Sequence, residues 1–396
     1  MAQSDMNNAK IKRKDEFYTQ YDDIEEEMNA YIEYDKDVFR GKTVLLPCDD
    51  PEWSNFTRYF AANFDRLGLK KLISTSYAKG ASNKQISIFE LNSPQYNKEK
   101  HDTKGRIFIL EHGISDTKSI NIDDLQFDYL DDDGDFRSEE VKKLRDEADI
   151  IITNPPFSLF RNFIEWVFAA NKKFIILGNM NDATDLDIFP LIMQNKMWTG
   201  NCFNKTLTFA MAEDYEAKTD ERDRLGRKLG KVPSITWYTN VDFGKRHEIP
   251  KLTTMADNLK YNKKLRKKCE EDWKKYEYPH FDNYDALEVP FVEVIPSDYD
   301  GIMGVPVSFL GSYNPEYFEI VGTVSAAKNS DSLNTGKSYS DYKGFYQDGR
   351  PNGRTGSTFG KCPVLVKDDG VHPYYEKDGI RVQATFPRIF IKHKKG

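Results

Sequence analysis

No stretch of about twenty apolar residues occurs in the 396-residue chain, which leaves nothing to cross a bilayer as a helix. The opening residues, MAQSDMNNAKIKRKDE, lack the apolar core of a secretory signal, so the protein is expected to stay in the cytoplasm and to have no membrane partner. Cysteine is scarce: Cys48, Cys202, Cys269 and Cys362 lie far apart with no paired spacing, which argues against a disulfide framework. The six histidines form no cluster, and with cysteines so scattered no zinc site or other metal is expected. The phosphate-cradling patterns GxGxxG and GxxxxGK[ST] are missing, and no repeat of solenoid length occurs.

An excess of positive charge is missing too. The net charge of −7 argues, taken alone, against a nucleic-acid partner, but a binding face needs only local positive charge. Two basic runs exist. Arg222, Arg224, Arg227, Lys228 and Lys231 form one; residues 260–275 hold a denser one that includes Lys264, Arg266 and Lys267. Arg222, Arg224, Arg227, Lys228, Lys264, Arg266 and Lys267 are the candidate DNA contacts, although such runs are more often solvated loops or helix faces.

What is present is room for about two domains and a strand-helix alternation in the first half. Residues 43–48 (TVLLPC), 71–75 (KLIST), 107–110, 149–153 and 173–178 (KFIILG) read as short buried strands. Helices are expected over 54–67, 138–147, 159–170 and 186–194, with Ser138 as a helix entry. Such alternation implies a mostly parallel sheet with helices on both faces. Residues 77–105 read as an insertion with one strand-like piece at 85–91, and the stretches 206–211 and 234–238 read as a long hairpin around the charged segment 213–231. Past residue 244 the chain is richer in Tyr, Pro, Lys and Gly, which marks a second module; the expected domains are 1–244 and 245–396.

One motif carries chemistry. Asn154-Pro155-Pro156-Phe157 follows the apolar run 148–153 (ADIIIT) and precedes a helical run, which places it at the carboxyl end of a strand, where open α/β sheets bind ligands. An exocyclic amine on adenine is a poor nucleophile because its lone pair is delocalised into the ring. An amide oxygen from Asn154 and a backbone carbonyl that accept its two N–H hydrogens draw the nitrogen toward tetrahedral geometry. Pro155 and Pro156 fix the backbone and carry no N–H, leaving carbonyls to act as acceptors, and Phe157 offers a face on which a flat base can stack. The bland alternative is a strand followed by a proline turn.

Methylation of that amine needs a donor. The strand 43–48 runs into Cys48-Asp49-Asp50-Pro51, a negative corner that repels a pyrophosphate but attracts the ammonium and sulfonium of S-adenosylmethionine; one of the two aspartates could instead cap the helix beginning near Ser54. Further along, Asp135 of Gly134-Asp135-Phe136-Arg137 could accept from the cofactor's adenine amine, with Phe136 packed on its ring; the neighbouring Asp131-Asp132-Asp133 reads equally well as a solvated turn.

These blocks resemble the adenine-N6 DNA methyltransferases, and within them the EcoRI-type modification methylases. The resemblance rests on residues 15–21 (DEFYTQY), 48–51 (CDDP) with 54–56 (SNF) and 63–73 (NFDRLGLKKLI), 134–138 (GDFRS) and 148–161 (ADIIITNPPFSLFR). Shorter pieces lie at 282–286 (DNYDA), 301–306 (GIMGVP) and 314–319. It implies a class I S-adenosylmethionine-dependent methyltransferase fold, Rossmann-like, followed by an α+β target-recognition region. It also implies S-adenosylmethionine as donor, double-stranded DNA as acceptor, a monomer, and a cognate restriction endonuclease as a separate protein. Phe17, Tyr18 and Thr19 would then join Cys48, Asp49, Asp50, Asp135 and Phe136 in holding the cofactor. The glycine-rich cofactor loop of most class I enzymes is replaced here by PCDDP, and residues from about 324 to 387 depart from the family with extra segments. An RNA-base or protein-glutamine methyltransferase, or a catalytically silent DNA-binding relative, are the competing readings.

Overall fold

Strands made of β-branched and aliphatic runs must have both faces covered, and the helices between them supply the cover. The computed structural model of the chain describes residues 18–51, 54–78, 97–111, 127–211, 221–223, 226–273, 275–281, 284–323, 341–355, 363–364, 373–384 and 388–394. The chain divides into two compact units, Met1–Met180 with Met197–Gly244, and Asn181–Lys196 with Lys245–Gly396. The single boundary expected after residue 244 makes no allowance for the excursion Asn181–Lys196. The strand-like piece at 85–91 lies outside the described residues.

In the first unit, β2 (Thr43–Leu46), β3 (Lys71–Ser76), β4 (Arg106–Glu111), β5 (Asp128–Tyr129), β6 (Ile150–Thr153), β7 (Lys173–Asn179), β8 (Trp198–Thr199) and β11 (Ile235–Thr239) form one sheet. Its order is β5-β4-β3-β2-β6-β7-β11-β8. The central strands β3, β2, β6 and β7 are parallel, and β4, β5, β11 and β8 join the flanks antiparallel. The burial of β4 alternates along its length while β2 and β6 are buried at every residue, as expected of a flank strand and two central ones.

Alternate residues of the strands serve opposite faces. Val44, Leu46, Ile150, Ile152, Ile175, Leu177 and Trp237 meet Ile24, Met28 and Tyr31 of α1 (Tyr21–Tyr34) and Phe56, Tyr59 and Phe60 of α2 (Asn55–Ala62) in one core. On the other face lies α4 (Phe160–Ala169), which follows α3 (Glu139–Glu147) and β6 in the chain. Its buried Phe160, Phe163, Ile164 and Val167 show helical spacing, and Phe160 packs so tightly on Gly178 that a Cβ there would collide with its ring. Ser138 caps α3 as read, its Oγ accepting from the Val141 N–H at 3.3 Å. The result is the mixed sheet, parallel at its centre and covered on both sides, of a class I methyltransferase fold.

A second sheet in this unit corrects the expected hairpin. β9 (Leu207–Met211) pairs antiparallel with β10 (Lys228–Val232) and, on its other side, with β1 (Tyr18–Thr19). Residues 235–238 belong instead to β11, whose five buried residues sit between β7 and β8. The apolar pattern drew the hairpin toward the wrong strand, because β10 is a half-exposed edge with little apolar signal (KLGKV).

The second unit holds a four-stranded sheet of β12 (Leu287–Glu288), β13 (Met303–Pro306), β14 (Phe318–Thr323) and β20 (Arg388–His393), in the order β12-β13-β20-β14. Its five-stranded neighbour contains β15 (Lys343–Phe345), β16 (Pro351–Thr355), β17 (Pro363–Val364), β18 (Tyr374–Lys377) and β19 (Ile380–Ala384). Two short helices, α5 (Met255–Tyr261) and α6 (Lys263–Lys268), begin at Thr254 and Asn262, whose side chains cap them. No helix among the described residues is long and apolar enough to cross a membrane.

Within the four-stranded sheet Arg388 of β20 reaches Glu288 of β12 with two nitrogens, at 2.7 and 3.1 Å, and both residues are buried. Removing one member strands the other's charge in the core. Glu288→Ala is therefore expected to destabilise this unit by about 3–5 kcal/mol, whereas Glu288→Met with Arg388→Met should recover most of the loss. Urea midpoints for both variants check this; a single variant as stable as the parent would be inconsistent with a buried, paired charge.

Candidate active site

The chain order places β3, and then the flank strands, on one side of β2, and returns to β6 on the other, so β2 and β6 flank the sheet's switch point. Their carboxyl ends are joined by one side chain. Asp49, just past β2, accepts from Thr153 Oγ1 at 2.6 Å and from Ser54 Oγ at 2.7 Å, and the Asn154 N–H donates to it as well. Its own backbone is held by β3: Asp49 N donates to Thr75 O at 3.0 Å, and Ser74 Oγ donates to Asp49 O at 2.6 Å. Thr153 Oγ1 in turn accepts from Cys48 N at 3.2 Å. Ser54 caps α2, its Oγ accepting from Phe56 N at 3.1 Å. One buried carboxylate thus ties together β2, β3, β6 and α2.

That arrangement alters the aspartate. Burial pushes Asp49 from its ordinary 3.8 up to about 7, against the lowering influence of the hydrogen bonds from Thr153, Ser54 and the Asn154 N–H. Burial likewise raises the Cys48 thiol, with the Asp49 charge acting in the same direction, so Cys48 stays protonated near neutral pH. Asp50 has a partner within the chain: its carboxylate receives Arg106 Nη2 at 2.8 Å in a buried pair, and the Arg106 guanidinium lies 5.3 Å from the centre of the Phe127 ring. The negative corner read from the sequence is therefore answered in large part by the chain itself.

The motif residues leave β6 directly from this hub. Pro155 is buried, and Pro156 and Phe157 are half-buried, with Phe157 packed against the main core. Pro156 O accepts from Leu159 N at 2.9 Å, closing the turn Phe157–Leu159 that leads into α4. Among the described residues nothing donates to the Pro155 carbonyl. The Asn154 Oδ1 is screened from solvent. Both oxygens named in the sequence reading thus stand at the carboxyl edge of the sheet, on a backbone that two prolines stiffen.

Two other blocks reach the same edge. Thr19 pairs through β1 with Phe209, and its carbonyl accepts from Asn55 Nδ2 at 2.7 Å, which brings it to the first residue of α2. Its hydroxyl is buried with no hydrogen-bond partner among the described residues, a position that fits a polar ligand group. Phe17 lies outside the described residues, and Tyr18 is described through its backbone alone. Gly134, at φ +78°, lets its loop lie against the end of β3, where a Cβ would collide with Ser76 O, and Ala78 N donates to Asp133 O at 2.6 Å. Asp135 is gripped by Arg137 through Nε at 2.8 Å and Nη2 at 2.6 Å, which holds its carboxyl below the usual range. The Phe136 ring, 5% exposed, packs edge-on to Phe163 and Trp166 and has little surface left for a cofactor ring.

The basic candidates fall in both units. Arg227 pairs with Asp223 at 2.6 Å, Arg222 Nη1 donates to Gly226 O at 2.6 Å, and Lys228 opens β10; Arg224 lies outside the described residues. On α6 of the second unit, Lys264 pairs with Glu293 at 2.8 Å, Arg266 lies 4.0 Å from Glu270 and Lys267 3.9 Å from Glu271. All three are exposed, so their charges remain available to a partner at the surface. No group of His, Cys, Asp or Glu among the described residues could hold a metal ion.

Sequence reasoning missed Thr153, Ser54, Arg106 and Arg137. Thr153 did leave a signal: it is the one polar residue of an otherwise isoleucine strand, and it sits at its end.

The family model described as adenine-specific methyltransferase EcoRI matches residues 5–394. The Type II methyltransferase M.EcoRI of Escherichia coli is 37% identical over 319 residues, covering 80% of this chain and 88% of that protein. The Type II methyltransferase M.MgeORF184P of Mycoplasma genitalium is 35% identical over 320 residues, and M.MpnI of Mycoplasma pneumoniae is 30% identical over 321. Each match covers 80% of this chain and 84% of the relative. No solved structure matches the chain.

Asp49 makes stability depend on pH. Because its folded pKa lies above 3.8, the folded protein holds this proton more tightly than the unfolded chain does. The contribution is fully present below about pH 4 and is lost as pH rises to about 7, at roughly 1 kcal/mol per pH unit. Asp49→Asn should flatten that part of the profile, measured as urea midpoints between pH 4.5 and 8; an unchanged slope would show that Asp49 is ionised throughout.

Proposed function

The chain belongs to the EcoRI adenine-specific methyltransferase family and is a methyltransferase, and we propose that it transfers a methyl group from S-adenosylmethionine to the N6 amine of adenine in double-stranded DNA. It would serve as the modification enzyme of a type II restriction-modification system whose endonuclease is a separate protein. Residues 1–244 carry the chemistry in this reading, and residues 245–396 the target recognition. The observation that carries it is the placement of Asn154 and Pro155 at the end of β6, fixed through Asp49 to the end of β2.

The cofactor, when bound, supplies an electrophilic methyl group on a sulfonium. Thr19 fits a hydrogen-bonding group of that ligand through its buried hydroxyl, which has no partner among the described residues, and Asp49 and Asp135 stand at the same edge of the sheet. The remaining work falls to this chain's own groups. An adenine stacked in a duplex cannot present its amine, so it must be flipped out, which costs a few kcal/mol. Phe157 offers a face to the extruded base. Asn154 Oδ1 and the Pro155 carbonyl accept the two amine hydrogens, orient the lone pair, and leave the nitrogen free to form the new N–C bond; the methyl group's bond to sulfur would break as that bond forms, and the surplus amine proton would pass to solvent. Positioning of this kind is worth roughly 7–11 kcal/mol. The exposed lysines and arginines of the two basic runs would meet DNA phosphates, so affinity should fall with salt.

Purified protein, radiolabelled S-adenosylmethionine and, in parallel, duplex DNA, RNA and a protein extract make the decisive experiment. Label recovered as N6-methyldeoxyadenosine is the expected result; label on RNA or on glutamine would overturn the substrate assignment. Asn154→Ala should slow turnover on DNA by about 10²–10³-fold while leaving cofactor affinity within about twofold, since it removes one preorganised acceptor. Near-normal turnover in that variant would remove Asn154 from the mechanism.

A further inference from the structure

β1 is too short to choose its own place. It consists of Tyr18 and Thr19 alone, pairs with β9, and gives way to α1 at Tyr21. Side chains alternate across a strand, so a slip of one residue would turn Thr19 to the opposite face of the sheet. In the observed register Thr19 stands opposite Phe209, a fully buried residue of the main core, and is itself 3% exposed. Its hydroxyl has no hydrogen-bond partner among the described residues, so this register is the one that sets an unsatisfied polar group facing inward.

The fixed element is β9. Leu207 and Phe209 lie in the main core, β10 pairs along the strand's other side, and the loop before it is held by Glu27 of α1, which accepts from the Asn201 and Cys202 N–H groups. One further step along the register Tyr18↔Ala210, Thr19↔Phe209 would set Gln20 opposite Thr208, but at Gln20 the chain turns into α1. A side chain takes the Thr208 N–H instead: Asp23 Oδ2 accepts it at 2.9 Å, while Lys205 Nζ lies 3.3 Å from Asp23 Oδ1. Asp23 is 7% exposed and belongs to the first turn of α1. A slip of β1 by one residue would carry Asp23 about 3.3 Å along β9 and break that bond.

A carboxylate in the first turn of a helix ordinarily serves the helix's own N–H groups, yet Asp23 is directed at β9. We infer that Asp23 is a positioning residue for the methyl donor: it pins the register of β1 on β9 and so keeps the Thr19 hydroxyl turned toward S-adenosylmethionine. This rests on the proposed use of S-adenosylmethionine with Thr19 among its contacts, and it gives a share of the donor's affinity to a side chain that acts through another. Asn55 Nδ2, at 2.7 Å from Thr19 O, holds the backbone of the same residue but leaves its register on β9 to Asp23.

The test is calorimetric binding of S-adenosylmethionine to the full-length protein and to Thr19→Val, Asp23→Ala, Asp23→Asn and the double variant Thr19→Val with Asp23→Ala, each below its own melting transition. Thr19→Val should weaken binding by roughly 5- to 150-fold, because a buried group of the ligand then loses its partner. Asp23→Ala should weaken it by about 5-fold or more, though by no more than Thr19→Val does. Asp23→Asn keeps an acceptor for the Thr208 N–H and should return affinity to within about threefold of the parent. In the Thr19→Val background, Asp23→Ala should cost less than about twofold more, since the two act as one unit. Losses that multiply would assign Asp23 a structural role alone and overturn the inference. Parent-like affinity in Asp23→Ala beside a weakened Thr19→Val would show that β1 keeps its register unaided, which also overturns it and leaves the donor reading intact. Parent-like affinity in Thr19→Val would remove Thr19 from the donor site, and the role of Asp23 with it.

Discussion

A single buried carboxylate, 5% exposed, organises the first unit. Asp49 gathers hydrogen bonds from Thr153, Ser54 and the Asn154 N–H, so the end of β2, the end of β6 and the cap of α2 have one shared reference point. A glycine-rich loop would leave backbone N–H groups to serve a phosphate; here the corresponding corner directs donors inward onto a carboxylate. The cost is desolvation, visible in a pKa pushed to about 7. What is gained is rigidity directly behind Asn154-Pro155-Pro156-Phe157, on which the grip on an amine proposed above depends.

The same economy appears in the other buried acid groups of this unit. Glu27 of α1 accepts from Tyr31 Oη at 2.7 Å and from the N–H groups of Asn201 and Cys202 at 2.8 Å each, fixing the loop after β8 to the helix that follows β1. Burial raises its pKa, with those hydrogen bonds acting against the rise. Asp50 is matched by Arg106. Buried acids in this protein are therefore joints between elements, each held by donors from a distant part of the chain.

Much of this was legible beforehand. The runs TVLL, KLIST and IIIT announce buried strands because β-branched residues with no polar partner have nowhere else to go, and the proline pair after IIIT marks where that strand must stop. What the pattern could not supply was pairing. β10 carries two lysines and a glycine in five residues and becomes a strand through its neighbour β9 rather than through its own propensity. Nor could composition distinguish Asp50 from Asp49: adjacent and chemically identical, they part company because Arg106, more than fifty residues on, reaches one of them. Phe136 was read as a ligand contact, yet an aromatic beside an amphipathic helix is more economically spent in packing, as its contacts with Phe163 and Trp166 show.

The pairing of Thr19 with Phe209 has a consequence for how the protein is made. These partners are separated by 209 − 19 = 190 residues, so β1 has no strand to join until most of the catalytic unit has been translated. At roughly 5–20 residues per second the wait on a ribosome is about 10–40 s. The block that carries Thr19 thus waits for a partner 190 residues further on, which makes closure of the β1-β9-β10 sheet a late event in biosynthesis.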